Sequence, residues 1–242
     1  MRQNTHRTTK GSNKVCYKKP NRQNIGRNML VSGRVYQVNN NGTVLIHLDQ
    51  VNGVGILKKS KMIPGESFQL GDQVVALVMY YRESRDELAV FLSRLSFSLV
   101  VRLFEAAAPD IDNGQVEIKG VAREPGVLSK VSVRSNSMNP ISAAIGIGGT
   151  IVNKVSAQLH NERIDIVPYS DNIETYLKNL FLPVPILAVK PGAVDAAGLQ
   201  EYCIYVAQEN MSAAIGKNGT NVRLISRLAG GCSLTVISAS DE

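Results

Sequence analysis

Two stretches of this chain carry the same glycine pair at the same spacing. Ser142–Ser156 (SAAIGIGGTIVNKVS) and Ser212–Ser226 (SAAIGKNGTNVRLIS) lie 70 positions apart and agree at nine of 15 places without a gap. Each holds a Gly-x-x-Gly: Gly146-Ile147-Gly148-Gly149 and Gly216-Lys217-Asn218-Gly219. Glycine has no Cβ, so such a turn bends sharply and lets another backbone press against it. Thr150 and Thr220 then open a helix, where free N–H groups and the positive dipole end favour phosphate oxygens. A single Gly-x-x-Gly is an ordinary helix–turn–helix corner in a chain with 20 glycines. Here both copies are followed by a strand pattern at the same offset, Ile164-Asp165-Ile166-Val167 and Leu234-Thr235-Val236-Ile237. That repetition marks a duplicated domain, and its chemistry is the clamping of single-stranded nucleic acid, about four nucleotides per copy.

The copies differ in side-chain chemistry. Lys217 and Asn218 give the second turn a cation and an amide, with Asn221, Arg223 and Arg227 along the helix that follows. Ile147 and Gly148 leave the first turn without a side-chain donor, and only Lys154 lies nearby. The second loop is therefore expected to contribute more phosphate contact. The candidate contact residues are Gly146, Ile147, Gly148, Gly149, Thr150 and Lys154 in the first copy. In the second they are Gly216, Lys217, Asn218, Gly219, Thr220, Asn221, Arg223 and Arg227.

Other chemistries find little support. A P-loop fails because no glycine stands five positions before Gly216 and Asn218 replaces the Ser/Thr. A Rossmann turn fails because Gly146-Ile147-Gly148 lacks the third spaced glycine and follows a helix. His6, His47 and His160 are the only histidines, with no paired Cys or His for a metal. Asp165 and Asp171, near Glu162, read as solvated edge charges rather than an acid–base pair. Cys16, Cys203 and Cys232 have no ligand spacing, and the latter two sit in apolar strand patterns, as reduced core thiols would. No enzyme, metal or cofactor is expected.

The elements that position the loops follow from periodicity. Short strands are predicted at 31–38, 44–48, 52–57, 73–81 and 87–92, punctuated by Asn39-Asn40-Asn41-Gly42, Pro64-Gly65 and Gly71-Asp72. Five strands in so short a span predict a small OB-type barrel. On it Tyr36, His47, Tyr80 and Tyr81 are candidate stacking platforms for bases, with core filling as the other reading of the same alternation. Leu95, Leu99, Leu103 and Phe104 then predict a helix over 96–107, stopped by Pro109. Strands at 116–123 and 130–134 flank the turn Glu124-Pro125-Gly126, followed by the helix pair at 141–159 and a strand at 163–167. The order α-β-β-α-α-β repeats from Asn172: helix to Leu180, strands at 186–190 and 201–207, helices to Leu228, strand 233–237. That order is the type II form of the KH domain. The predicted fold class is α+β and multidomain: basic arm 1–28, barrel 29–95, first KH domain 96–170, second 171–242.

Charge is unevenly placed. Of the 27 Lys and Arg residues, eight fall in the first 28 positions, and the first acidic residue is Asp49. The rest carries 19 basic and 20 acidic side chains, a net of −1. Binding by the folded part must rest on local geometry rather than bulk attraction. The arm is too polar to build a core and reads either as a weak RNA tether or as a solubilising tail. No apolar run approaches the roughly 20 residues of a membrane span.

With barrel, KH and KH in order, residues 29–240 resemble the RNA-binding body of the bacterial NusA family. The matching stretches are Ala122-Arg123-Glu124-Pro125-Gly126, Glu162 to Val167, Asp171-Asn172, and Ala214 to Gly219 with Asn221-Val222-Arg223-Leu224. The resemblance implies binding of nascent single-stranded RNA at a transcribing RNA polymerase, modulating pausing, termination and antitermination. It implies RNA polymerase and other elongation factors as partners, a monomer, and a bacterial cytoplasm, with an organellar stroma as the alternative. The family's N-terminal polymerase-gripping domain is expected to have no counterpart here. Two alternatives stay open: an RNA-binding factor acting off the polymerase, in ribosome assembly or RNA stability, and an interaction scaffold with degenerate KH domains.

Overall fold

A computed structural model describes residues 25–84, 88–194 and 198–239. Most of the basic arm, Cys16 included, lies outside the described residues. Strands β1 (Leu30–Val38), β2 (Val44–Leu48), β3 (Val54–Leu57), β4 (Gln73–Glu83) and β5 (Leu88–Ser93) close a barrel in the order β1-β2-β3-β5-β4. Only β3 and β5 pair in parallel. The alternating residues Val31, Val35, Val44, Ile46, Val90 and Leu92 fill its centre, as period-two patterning requires.

Ser96 caps helix α1 (Phe97–Ala107) by accepting from Ser98 N–H, and the turn α2 (Pro109–Asp112) follows. Pro109 thus ends one helix and begins the next, because its missing N–H is harmless at a first helical position. Strands β6 (Glu117–Glu124), β7 (Leu128–Arg134) and β8 (Arg163–Pro168) form a sheet in chain order, β7 and β8 being parallel. Between β7 and β8 run α3 (Pro140–Ile145) and α4 (Thr150–Gln158). The second unit repeats the plan with α5 (Ile173–Phe181), β9 (Ala188–Val194), β10 (Gln200–Val206), α6 (Met211–Ile215), α7 (Thr220–Leu228) and β11 (Ser233–Ser238). Its first strand runs later than the predicted 186–190 and passes through Pro191. It can do so because β9 is the sheet edge and pairs with β10 across a register shift near Tyr202.

The units share cores. Leu77 and Ile63 of the barrel pack with Leu99, Leu103 and Phe104 of α1. Val167 of β8 belongs with Tyr176, Leu180 and Phe181 of α5. Ala122 and Leu128 meet Leu224 of α7. Strand β7 is consequently buried at every position from Leu128 to Val133. One face of its sheet rests on α1, α3 and α4, and the other is covered by α5 and α7 of the second unit.

That double coverage explains a correction. Glu162, beside the two aspartates, is almost fully buried. Arg123 Nε donates to Glu162 Oε1 at 2.9 Å and its Nη2 to Oε2 at 2.8 Å. The same carboxylate accepts Gly126 N–H at 2.8 Å and Ser129 Oγ–H at 2.6 Å. Arg123 Nη1 donates to the carbonyls of Arg94 and Ser96, both at 2.9 Å, tying β6 to the segment leaving the barrel. Arg94, also buried, pairs with Glu66 at 2.6 Å and donates to the carbonyls of Val75 and Gln158. Asp165 is not the solvated edge charge expected of it: largely buried, it lies 3.0 Å from Lys130 and 2.8 Å from Arg163. Only Asp171 is the exposed charge expected of it, 2.9 Å from Arg134.

Candidate nucleic-acid interface

The two glycine turns fold alike because their backbones bend alike. Gly146 and Gly216 end α3 and α6 with φ 76° and ψ near 164°, a region that in practice only glycine enters. Each N–H returns to the serine four residues back, Ser142 or Ser212, at 2.9 Å. A Cβ on Gly146 would stand 2.7 Å from Ile151, and one on Gly216 2.8 Å from Asn221. The first glycine of each motif is thus demanded by the helix behind it. The last glycines, Gly149 and Gly219, adopt left-handed φ of 79° and 70° and cap α4 and α7 without any side-chain bond. Around Gly219 a Cβ would meet nothing within 4 Å, so the bare backbone faces open space.

The side chains sort differently from their order in the sequence. Lys217 and Asn218 are exposed, Asn218 holding φ 53°. Among the described residues no carboxylate pairs with Lys217 or Arg227. Arg223 bends toward the turn, reaching Asn218 O at 3.3 Å and Thr220 Oγ at 3.2 Å, and also lies 3.3 Å from Glu124 of β6. Asn221 turns inward: its Nδ2 donates to Ala214 O at 2.9 Å, satisfying the end of α6, and its side chain is buried. Its amide is structural. In the first turn Ile147 projects at 93% exposure and Thr150 is exposed. Lys154 faces away from the turn, into a cleft between α4, α1 and the barrel.

Beside the second turn lies a groove. It holds about 430 Å³ between α7 and β11, walled by Ile215, Val222, Leu234 and Val236, with Arg223 and Ser233 at its margin. Buried Cys232 lies at its base, and burial pushes its thiol pKa up, so it stays protonated and inert. Cys203 is half-buried and unpaired. A second cleft, about 400 Å³, separates the units, with Lys130, Arg163 and Asp165 on one wall and Gly216 and Lys217 on the other.

On the barrel, Tyr36 and His47 stack on each other, 4.0 Å apart and 22° from parallel. His47 is exposed, so the pair lies on the outer face and not in the core. Tyr80 stacks on Phe91 at 4.4 Å, with the Arg82 guanidinium over both rings. Phe91 escaped the sequence reading because it sits in an apolar strand among residues that do point inward. Tyr81 is half exposed and has no stacking partner among the described residues.

A closed five-strand barrel running into two Gly-x-x-Gly units of order α-β-β-α-α-β defines an OB-barrel protein with tandem type II KH domains. Residues 94–169 match the NusA-like first KH domain and residues 173–242 the NusA-like second KH domain. The chain is 34% identical over 195 residues to the transcription termination/antitermination protein NusA of Rickettsia conorii, covering 78% of this chain and 37% of that protein. It is 34% identical over 205 residues to NusA of Thermus thermophilus, covering 83% of this chain and 51% of that protein. With NusA of Mycobacterium bovis the identity is 35% over 178 residues, 73% of this chain and 50% of that protein. The chain belongs to the NusA family. It spans about half or less of the length of these relatives, and no described helix is long and apolar enough to cross a membrane.

Proposed function

We propose that this chain is a non-enzymatic, cytoplasmic, monomeric factor that binds nascent single-stranded RNA during transcription elongation and modulates pausing, termination and antitermination. The barrel at 29–95 and the KH domains at 96–170 and 171–242 are its RNA-contacting units, with the arm at 1–28 as a weak tether. The observation that carries the reading is the open backbone at Gly219, set beside unpaired Lys217 and an apolar groove. The N–H groups of Gly219 and Thr220 already donate to the carbonyls of Gly216 and Lys217. A phosphate therefore packs against the bare backbone at Gly219, at the positive end of α7, while Lys217 and Asn218 flank it. Bases then lie in the groove. The first turn offers the bare backbone of Gly148 and Gly149 in the same way but no cation, and it is the weaker clamp. Tyr36 and His47 add a stacking surface on the barrel.

Filter binding with a single-stranded RNA oligomer tests this. Lys217→Asp with Asn218→Asp changes two exposed side chains and should weaken binding roughly tenfold or more, about 1.4 kcal/mol. Ile147→Asp with Gly148→Asp should weaken it less. Equal losses would overturn the ranking, and a wild-type chain without affinity for single-stranded RNA would overturn the reading. Polymerase association rests on the family resemblance and is checked by co-purification from native extract. RNA recovered without polymerase subunits would move the factor to ribosome assembly or RNA stability.

A further inference from the structure

The cleft between barrel and first KH domain belongs to neither Gly-x-x-Gly turn. It encloses about 240 Å³, below the roughly 300–1,000 Å³ usual for drug-sized ligands and suited to one planar ring system. Leu30 and Val75 of the barrel form one wall, and Leu103 and Ala106 of α1 the other. Four polar side chains also line it: Ser32 and Gln50 from the barrel, and Lys154 and Gln158 from α4. Apolar walls with a few polar groups are the usual makeup of a small-ligand site.

Lys154 supplies the charge. It is exposed, and among the described residues no carboxylate pairs with it. It stands five residues after Gly149 on the helix that the first turn opens. At about 1.5 Å of rise per residue that is roughly 8 Å along the axis, and the helical twist carries it well around α4. A strand leaving the first turn reaches it only after passing round that helix. Gln50 already accepts from Ser32 N–H and donates to Ser32 Oγ, at 3.0 Å each, so its amide is held in place.

From this arrangement we infer that the barrel–KH cleft is a nucleotide subsite, in which one unstacked RNA base lies between Leu30, Val75, Leu103 and Ala106 while Lys154 holds its phosphate. The inference rests on the RNA-binding reading above and extends it: the cleft connects the first KH domain to the barrel. A single base gives affinity here chiefly through its apolar faces, so the site tolerates different bases.

The test uses the full chain and two RNA lengths. Two KH domains accept about eight nucleotides, and a strand of about twelve also reaches the cleft. The longer strand should bind several-fold more tightly than the shorter one to the wild type. Ala106→Phe fills the cleft from an exposed helix position, and Lys154→Ala removes its cation. Each should abolish that gain while leaving the shorter strand's affinity unchanged. Methyl resonances of Ala106, Leu103 and Val75 should shift with the longer strand only. A length gain that survives both substitutions, or methyl resonances that stay still, would overturn the subsite and leave the KH clamps intact. Failure of the shorter strand to bind the wild type would instead overturn the RNA-binding reading itself.

Discussion

Arg123 and Glu162 lie 39 positions apart in the chain and form a two-pronged, fully enclosed ion pair, their side chains 1% and 0% exposed. All of the pair's remaining bonds go to backbone or to Ser129. The arginine also bonds the carbonyls of Arg94 and Ser96, so the pair fixes where the barrel ends and α1 begins.

Removing one partner leaves a buried charge uncompensated. Arg123→Met should destabilise the chain by about 3–5 kcal/mol. The double change Arg123→Met with Glu162→Gln should recover part of that loss, because the charge is gone. Arg134→Ala, at an exposed pair, should stay within about 1 kcal/mol. Urea unfolding of the variants decides the order, and a harmless Arg123→Met would refute it.

The contact between KH domains is just as specific. A Cβ on Gly120 of β6 would stand 2.9 Å from Leu228 Cδ2 of α7. Gly120→Val should overpack this interface by roughly 1–3 kcal/mol. Thermal unfolding should report it, and proteolysis should cut between the domains faster in the variant than in the wild type.

The two glycines of the second turn should respond unequally. Gly219→Ala places a Cβ in open space at positive φ, at roughly 1–2 kcal/mol. Gly216→Ala adds the collision with Asn221 to its own backbone strain, so its loss should be larger. Calorimetric melting of the two variants measures the difference. Equal midpoints would show that Asn221 yields freely.

Lys130 gives a pH dependence with a defined sign. Burial lowers its pKa below the usual 10.5, with Asp165 opposing that shift. The unfolded chain therefore binds more protons than the folded one between the lowered value and 10.5. Across that interval stability from this group rises with pH, and it is lost as pH falls. Lys130→Met lacks the group, so wild type should gain on the variant as pH climbs from neutral toward 10. Burial raises the pKa of Tyr176, which acts in the opposite sense but equally in both proteins. Midpoint differences that stay flat with pH would rule the effect out.

The elements were legible because each is built from local signals. Period-two strands, the turn Glu124-Pro125-Gly126 and a repeat at constant offset need no distant contact to be read. Arg123, Glu162 and Arg94 were not legible, since a charge in a strand looks the same whether water or an ion pair receives it. Asn221 reads as a surface amide until the end of α6 is seen to require it. Lys154 follows Gly149 closely in sequence, yet with 3.6 residues per turn it comes out well around the helix from the glycine turn. The first glycines were legible as a motif, but that they serve the fold while Gly219 stays open was visible only in three dimensions.

Strand β7 is covered on both faces, and this makes the two domains a caliper with fixed jaws. Tandem modules on a flexible linker adapt to any spacing and lose effective concentration as the linker lengthens. Here the distance between the turns is set by packed side chains, so it varies little with thermal motion. On the proposed function, a strand seated in one turn therefore meets the other at a single nucleotide count. RNA that folds into a hairpin between those two points is the wrong length. If both turns hold RNA as proposed, the buried sheet converts two modest sites into a gauge of how extended a transcript is.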